Sequence, residues 1–394
     1  MRAPLSHRIL TVSHLYPSSA YPGWGPFVRD EVVELARRHT VAVVAPIPWP
    51  LPFPAEKARR ARAVPRVSEE DGIRVFRPRL PSIPLGGRFI EHRMWAIRLL
   101  PELRAVGREL ECQIVHAHFA LPDGHAAAEF AIRAQVPFVL TVRGDDVLVF
   151  GERFYTRTVL KRTFKHADAV IAVSEELAER ATTLGARSDS TWVIPGGVPY
   201  RPAGTRNEIR ESLGLARETV CILWVGGLVP VKQPLDAVAA FRLLLAQLQE
   251  LDAVLVVIGD GALASDLRIA VRGSLAASVR LLGYRPREEV WRWQCAADVL
   301  INTSRSEGTP IAALEAQGAG TPVIGYPLSG LGSVVDSLSG GALAAEATPA
   351  ALAHAIAVEL ETPRDRDALA CAARERYGID RVGKEIDRVY ESVR

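Results

Sequence analysis

Residues 297–327 read ADVLINTSRSEGTPIAALEAQGAGTPVIGYP. An apolar run, ADVLINTS, opens into a polar, glycine-bearing loop, then a short helical pattern, then a second apolar run, TPVIGYP. Short apolar runs with a helix between them are the pattern of parallel strands joined by a crossover helix. Thr309 before Pro310 is a helix-start signal, because Thr can cap and Pro loses no hydrogen bond in the first turn. Gly318 and Gly320 stop it, so the helix is expected from Pro310 to about Gln317. Glu307 stands just before this helix and Glu315 inside it. A helix N-terminus carries partial positive charge and free N–H groups, which suit an anion. Carboxylates cannot hold a diphosphate, since like charges repel. They can accept hydrogen bonds from hydroxyl groups on either side of one, and a nucleotide sugar has that layout.

The same alternation runs through the chain. RILTVSHLYP, TVAVVAP, QIVHAH, PFVLTVRG and DAVIAVS read as strands of a first parallel sheet, with FVRDEVVELARRH as an amphipathic helix between the first two. STWVIPGGVPYRPAGTR is rich in Pro and Gly and reads as a linker. The pattern then restarts with TVCILWVGGLVPVKQ, a helix from about Pro234 to Leu248, AVLVVIGDG, VRLLGY, ADVLINTS and TPVIGYP. The fold class is therefore α/β, two doubly wound Rossmann-like domains in tandem. The expected boundaries are 1–198, 199–379 and a terminal helix over 380–394.

At 394 residues, with 48% apolar and 24% charged, the chain suits two ordinary cores. Its four cysteines form no C-x-x-C pair, so neither disulfides nor zinc are expected. The N-terminus has too few apolar residues for a signal peptide, and no apolar run is long enough to span a membrane. A cytoplasmic location is expected. The net charge is +3, but Lys57 to Arg108 holds thirteen Lys or Arg against five acids. RFYTRTVLKRTFKH is a second basic stretch. Such excess is either a solvated face or an attraction to anions, including a membrane surface. No basic-aromatic motif points to nucleic acid. RFIEHRMWAIRLLPELRAV mixes arginines with apolar residues as an interfacial helix does, or packs on the sheet, with Pro101 expected to break it.

Ligands of doubly wound folds sit beyond the carboxyl ends of the strands, and the suggestive residues fall there. Gly23 and Gly25 allow close backbone approach after the first strand. HAHFALPDGH places His116, His118, Asp123 and His125 near a strand end. His116 and His118 share a face if the strand continues unbroken, and one site residue with one packing histidine is expected. Metal binding by this cluster is not expected, and no cofactor is. TVRGDDV puts Arg143, Asp145 and Asp146 after another strand, as site residues or a surface turn. In the second half, Gly226 and Gly227 end a strand with Lys232 shortly after, a cation placed for phosphate. Gly259 and Tyr284 follow two further strands.

This ordered set resembles the retaining glycosyltransferases of family four, which have the GT-B fold of two Rossmann-like domains facing a cleft. The resemblance covers nearly the whole chain, and EGTPIAALEA followed by GTPVIG is its most specific part. PDG and TVRGDD look most like bacterial members that build surface polysaccharides. The resemblance implies sugar transfer from a nucleotide diphosphate donor to an acceptor hydroxyl, with retention; a lysine and a helix terminus already supply positive charge, so no divalent metal is expected, and the acceptor is expected to be a sugar or, from the basic excess, lipid-linked. It implies that Lys232 binds the donor diphosphate, Glu307 the transferred sugar and Glu315 the ribose. Gly226, Gly227, Gly259, Tyr284, Gly308, Thr309 and Ile311 complete the donor side. Lys232, Glu307 and His118 are the expected catalytic residues, with Gly23, Gly25, Arg143 and Asp145 on the acceptor or phosphate side. A donor phosphate oxygen is expected to take the acceptor proton.

Three positions depart from the family pattern. Gly227 stands where Arg is usual, Arg143 where His is common, and Ser333 where a Glu is common. The first leaves the diphosphate one cation short, with Arg143 or Arg305 as substitutes. The alternative reading is therefore an impaired paralogue that binds nucleotide sugar as a partner or scaffold. An epimerase of the same fold would act without acceptor. DRD at Asp365–Asp367 matches a metal-binding D-x-D by letters only, and no strand runs into the G-x-G-x-x-G of a dehydrogenase.

Overall fold

A computed structural model describes residues 6–50, 55–82, 88–200, 204–327 and 330–393. The chain divides into two compact units, Met1–Gly197 with Ile379–Arg394, and Val198–Gly378. Unit 1 contains β1 (Arg8–Val12), β2 (Thr40–Val44), β3 (Ile47–Pro50), β4 (Val67–Glu70), β5 (Ile73–Phe76), β6 (Arg79–Ser82), β7 (Ile114–His118), β8 (Phe138–Val142), β9 (Ala169–Ala172) and β10 (Thr191–Val193). Eight of these form one sheet in the order β10-β9-β8-β7-β1-β2-β5-β4. It is parallel except at β4, which runs antiparallel to β5. β1 lies at its centre, with Ile9 opposite Val41 on one side and Ile114 on the other. β3 and β6 pair separately.

Unit 2 contains β11 (Val220–Val225), β12 (Ala253–Ile258), β13 (Val279–Gly283), β14 (Val299–Asn302), β15 (Val323–Gly325) and β16 (Gly341–Leu343). They form an all-parallel sheet in the order β13-β12-β11-β14-β15-β16. Strand order reverses on either side of β11, so the crevice beside its end is the switch point at which such sheets bind ligands. Each face is covered. Ile222 and Trp224 enter one apolar cluster with Leu255 and Phe241, and Cys221 and Leu223 enter the other with Val256 and Leu314. Burial on both faces explains why these strands read as continuous apolar runs.

Three expectations are corrected here. The segment read as a linker contains β10, an edge strand in register with β9. The helix Arg88–Leu110 runs unbroken through Pro101. Leu99, Leu103 and Val106 pack into the core and offset the one backbone hydrogen bond that Pro forfeits. The helix beginning near Thr309 starts at Ile311, with Pro310 as its flanking residue and no side-chain cap. Pro310 has ψ 86°, outside the helical range.

The terminal helix Ile379–Ser392 belongs to unit 1, where Val382, Ile386, Val389 and Tyr390 cover Ile9 and Val43. Asp387 ties it to Arg38 and His39 at 2.7 and 2.9 Å, and its buried polar anchor is the Tyr390 hydroxyl, 2.7 Å from Nδ1 of His116. His116 Nε2 lies 2.7 Å from the Thr141 hydroxyl, so both ring nitrogens are satisfied. Tyr390→Phe leaves one of them without a partner in the core. The expected cost is about 1–3 kcal/mol, read as a lowered urea midpoint with unchanged nucleotide affinity. An unchanged midpoint would remove this bond as the anchor.

Candidate active site

The residues expected on the donor side follow β11, β12, β13 and β14 at one edge of the unit 2 sheet. Gly226 donates its N–H to Ile258 O at 3.0 Å, and Gly259 donates to Gly283 O at 2.9 Å, so the strand ends lock together. At Gly259, φ is +150° and a Cβ would lie 1.8 Å from Gly226 O, so only glycine fits. Gly227 differs. A Cβ there would meet nothing nearer than Val229 Cγ2 at 3.9 Å. The backbone there thus admits a Cβ, and glycine is not required at this position. Tyr284 is about half exposed, 48%, beyond β13.

Lys232 ends a short turn, Pro230–Lys232, held from two sides. Its carbonyl accepts from the Thr303 hydroxyl at 2.8 Å, and Thr303 in turn accepts from the indole N–H of Trp224 at 2.9 Å. Arg305 N–H donates to Val231 O at 2.8 Å, so the loop after β14 lies directly on this turn. The Lys232 ammonium consequently meets Glu307 Oε1 at 2.6 Å. The same oxygen accepts from the Ser304 hydroxyl at 2.6 Å and from Asn302 Nδ2 at 3.3 Å. An ammonium has three donors, so Lys232 can hold Glu307 and a phosphate oxygen together. Gly330, at φ +80°, stacks its backbone on this loop, where a Cβ would come within 2.3 Å of Gly308 O.

Glu315 is buried and held by a bidentate neighbour. Arg287 Nε and Nη2 donate to its Oε1 at 2.9 and 2.6 Å, and Gln294 donates to Oε2 at 3.2 Å. The structure brings Lys232 against Glu307 in the loop that runs through Gly308 and Thr309 into the helix Ile311–Gly318, and Glu315 lies within that helix. Asn302, Ser304, Arg287 and Gln294, which hold the carboxylates, were not singled out from the sequence. They lie in β14, its loop and the helix Arg287–Ala296, and only tertiary packing reveals them.

In unit 1, β7 is unbroken to His118, so His116 and His118 share a face with ring centroids 4.5 Å apart. Both are fully buried. His118 Nδ1 accepts from Arg143 Nη2 at 2.9 Å, and Arg143 also donates to Glu31 Oε2 at 2.7 Å. Arg143 lies over the Phe27 ring at 5.0 Å and its side chain is 6% exposed. Its charge is thus already matched inside unit 1 by Glu31, a residue the sequence reading did not select. Glu31, His116 and His118 offer ligand atoms within 4.8 Å of one another. The donor set suits a metal poorly, because both His116 nitrogens are engaged and a guanidinium adjoins His118. Asp146, buried, accepts from the backbone of Ala120, Arg143 and Gly144 and so ties two loops together. Asp145 opens the helix Asp145–Leu148, and its side chain lies outside the described residues. Gly23 is exposed in a turn, whereas Gly25 is buried at φ +58°.

Two α/β units, each built on a largely parallel sheet with glycines at its strand ends, have the layout of the GT-B fold. Comparison bears this out. Residues 23–201 match the model for Glycosyltransferase Family 4, and residues 205–376 match that for Glycosyl transferases group 1. The chain is 32% identical over 339 residues to the putative teichuronic acid biosynthesis glycosyltransferase TuaC of Bacillus subtilis, covering 83% of this chain and 82% of that one. It is 31% identical over 303 residues to a D-inositol 3-phosphate glycosyltransferase of Streptomyces scabiei, covering 70% and 67%. In fold it resembles Anabaena HepE in complex with UDP, with TM-score 0.69, 19% identity and coverage of 98% and 99%. Sucrose-phosphate synthase from Thermosynechococcus elongatus gives TM-score 0.75 at 20% identity, covering 97% and 98%. The chain belongs to the family-four glycosyltransferases, enzymes that move a sugar from a nucleotide donor.

The buried histidines of unit 1 carry a pH signature. Burial, with Arg143 adding repulsion, pushes His116 down to about 3. Burial likewise lowers His125 to about 4 and holds His118 well below its ordinary value. Unfolded imidazoles titrate near 6.5, so on acidification the unfolded chain takes up protons that the folded chain refuses. Stability should fall as pH drops from about 6.5 toward about 4, by up to about 1.4 kcal/mol per unit for each histidine. Urea midpoints across this range test it, and His125→Gln should flatten the decline. A midpoint independent of pH would contradict burial of neutral imidazoles.

Proposed function

We propose that the chain transfers a sugar from a nucleoside diphosphate donor to a sugar or lipid-linked acceptor, retaining anomeric configuration without a divalent metal. The observation that carries this reading is the Lys232–Glu307 pair in the loop before the helix Ile311–Gly318, which itself carries the buried Glu315. As the glycosidic bond breaks, negative charge grows on the diphosphate. Lys232 and the first amides of the helix stabilise that charge more strongly than the ground state, which accelerates the step. Glu307 accepts from sugar hydroxyls, and Glu315, held rigid by Arg287, accepts from the ribose. Arg305 is exposed on the Glu307 loop and supplies a second cation in place of an arginine at Gly227. The similarity to TuaC favours an acceptor of bacterial surface-polysaccharide assembly. The impaired-paralogue alternative rests on Gly227 alone.

A panel of nucleotide sugars, begun with UDP-sugars, against carbohydrate acceptors tests the reaction, with product configuration read by NMR. Lys232→Ala should lower kcat by at least about tenfold. Glu315→Ala should weaken nucleotide binding by about 1–3 kcal/mol in calorimetry. EDTA should leave turnover unchanged. Normal kcat in the first variant, or normal affinity in the second, would move the site elsewhere, and restoration by magnesium or manganese would end the metal-free reading.

We propose further that the reaction takes place at an anionic membrane surface. No helix among the described residues is long and apolar enough to cross a membrane. On the helix Arg88–Leu110, Trp95, Leu99 and Leu103 pack inward, while Ile97 is 74% exposed beside exposed Arg93 and Arg98. On the helix Phe154–Lys165, Phe154 is 88% exposed and Arg157, Lys161, Arg162 and Lys165 face outward. Exposed apolar residues among basic ones are what an interfacial face requires. Arg59, Arg60 and Arg62 are exposed, whereas the side chains of Lys57, Arg88, Phe89 and Ile90 lie outside the described residues. Each basic residue near an anionic surface contributes about 1 kcal/mol. Co-sedimentation with anionic vesicles should fall as salt rises and weaken when Arg59, Arg60 and Arg62 are neutralised. Equal recovery with neutral vesicles, or none at low salt, would leave a soluble acceptor.

A further inference from the structure

Unit 2 holds a cavity of about 780 Å³ away from its donor-side loops. Its walls come from the helices Arg287–Ala296 and Arg206–Ser212, from Ala319 just after the helix Ile311–Gly318, and from one face of the helix Arg366–Tyr377. The ends of Arg287–Ala296 and Ile311–Gly318 precede β14 and β15, so the cavity lies at the amino ends of these strands. Lys232 and Glu307 instead follow the carboxyl ends of β11 and β14. The two places are on opposite edges of one sheet.

The helix Arg366–Tyr377 supplies the binding face. Positions four apart share one side of a helix, so Arg366, Ala370 and Arg374 line up, with Cys371 beside them. The two small residues leave space between arginines that stand roughly 12 Å apart along the axis. Both guanidiniums are held in place by neighbouring oxygens. Arg366 donates to Ala297 O at 3.0 Å, to Cys295 O at 3.2 Å and to the Thr321 hydroxyl at 2.7 Å. Arg374 Nε donates to Gly318 O at 3.0 Å. A guanidinium carries five N–H donors, so each arginine retains donors for a ligand.

Charge around the cavity does not balance. Asp298 is shared by Arg206 and Arg210. Among the described residues no carboxylate pairs with Arg366 or Arg374, whose partners are carbonyls and a hydroxyl. Asp367 and Glu375 also line the cavity, but both stand exposed at its rim. Burial, with Arg206 adding repulsion, pushes the Arg366 guanidinium down to about 10, the mark of a cation short of counter-charge. Carbonyls at a helix end supply only about half a charge, so capping two helices leaves the excess unmatched. Trp291 lines the cavity too, and its indole N–H is buried without a partner among the described residues.

We propose that this cavity binds a phosphate ester, with Arg366 and Arg374 on the phosphate and the organic part filling the remaining space. Arginine pairs with phosphate through parallel N–H bonds, which suits guanidiniums already fixed in place. Inorganic phosphate would occupy a small part of the volume, whereas cavities of this size hold small organic ligands. The site is separate from the donor edge. A chain that binds nucleotide but transfers no sugar would fail the transferase reading and leave this site untouched.

Cys371 is exposed on the cavity wall, so its reactivity reports occupancy locally. The test follows alkylation of Cys371 by iodoacetamide in the full chain, read by peptide mass, with ribose 5-phosphate, uridine 5′-monophosphate or inorganic phosphate present. At least one ester, at up to about 10 mM, should slow alkylation about threefold or more and half-protect at a concentration about fivefold below that of inorganic phosphate. Arg374→Gln should raise the half-protecting concentration about tenfold. Lys232→Ala, on the other edge, should leave it unchanged. If Arg374→Gln does not fold, the comparison of esters with inorganic phosphate in the wild-type chain decides. No protection by either ester, equal protection by inorganic phosphate, or protection that Lys232→Ala abolishes and Arg374→Gln does not, overturns the proposal.

Discussion

A parallel strand must be covered on both faces, and that constraint organises both units. Every residue of β7, β8 and β12 is buried, so no strand interior is left for chemistry. The few polar side chains inside these strands, such as His116 and Thr141, are bonded to each other, and the charged groups lie where strands end and loops begin. At those ends the backbone itself has to approach closely, which is why Gly259 sits against Gly226 and Gly330 against Gly308. Each of these glycines lets two loops meet where a side chain would hold them apart. The loops after β11 and β14 then touch, and Lys232 meets Glu307 as a result.

Charge at these edges is compensated locally. Lys232 is matched by Glu307, Arg287 by Glu315, and Arg143 by Glu31. A buried charge without a partner is strongly unfavourable, so paired placement lets a desolvated edge retain several ionic groups. Pairing also sets geometry. Two bonds from Arg287 leave Glu315 little freedom, and bonds from Ser304, Asn302 and Lys232 converge on one oxygen of Glu307. Groups fixed in this way need no reorganisation when charge develops on a substrate. In unit 1 the same economy runs from Arg143 through His118 and His116 to Tyr390 of the terminal helix, so the last residues of the chain support the polar end of the first sheet.

The elements hardest to read in the sequence are those that lack a long apolar run. β10 and β16 span three residues each, at or near segments rich in small residues. β4 and β5 flank Asp71–Gly72, both at positive φ, a hairpin signal present in the sequence but carried by two four-residue strands, the first of them without a buried residue. Pro101 reads as a breaker because local rules describe an isolated helix, whereas packing of Leu99 and Leu103 decides the outcome.

The sequence by itself determined the class of fold and the strand ends at which the glycines, Lys232 and Glu307 lie. Both follow from short-range patterns: apolar runs of strand length, helix starts, and glycines at strand ends. Tertiary structure alone decided which partner each charged residue has. Glu31 and Arg143 are separated by more than a hundred positions along the chain, as are His14 and Asp123, and Arg287 and Glu315 belong to different helices. Their pairing depends on which strands become neighbours, and strand order is set by packing of the whole sheet rather than by any local signal. For the same reason Arg143 reads in sequence as an available cation and in the fold is a buried ion pair.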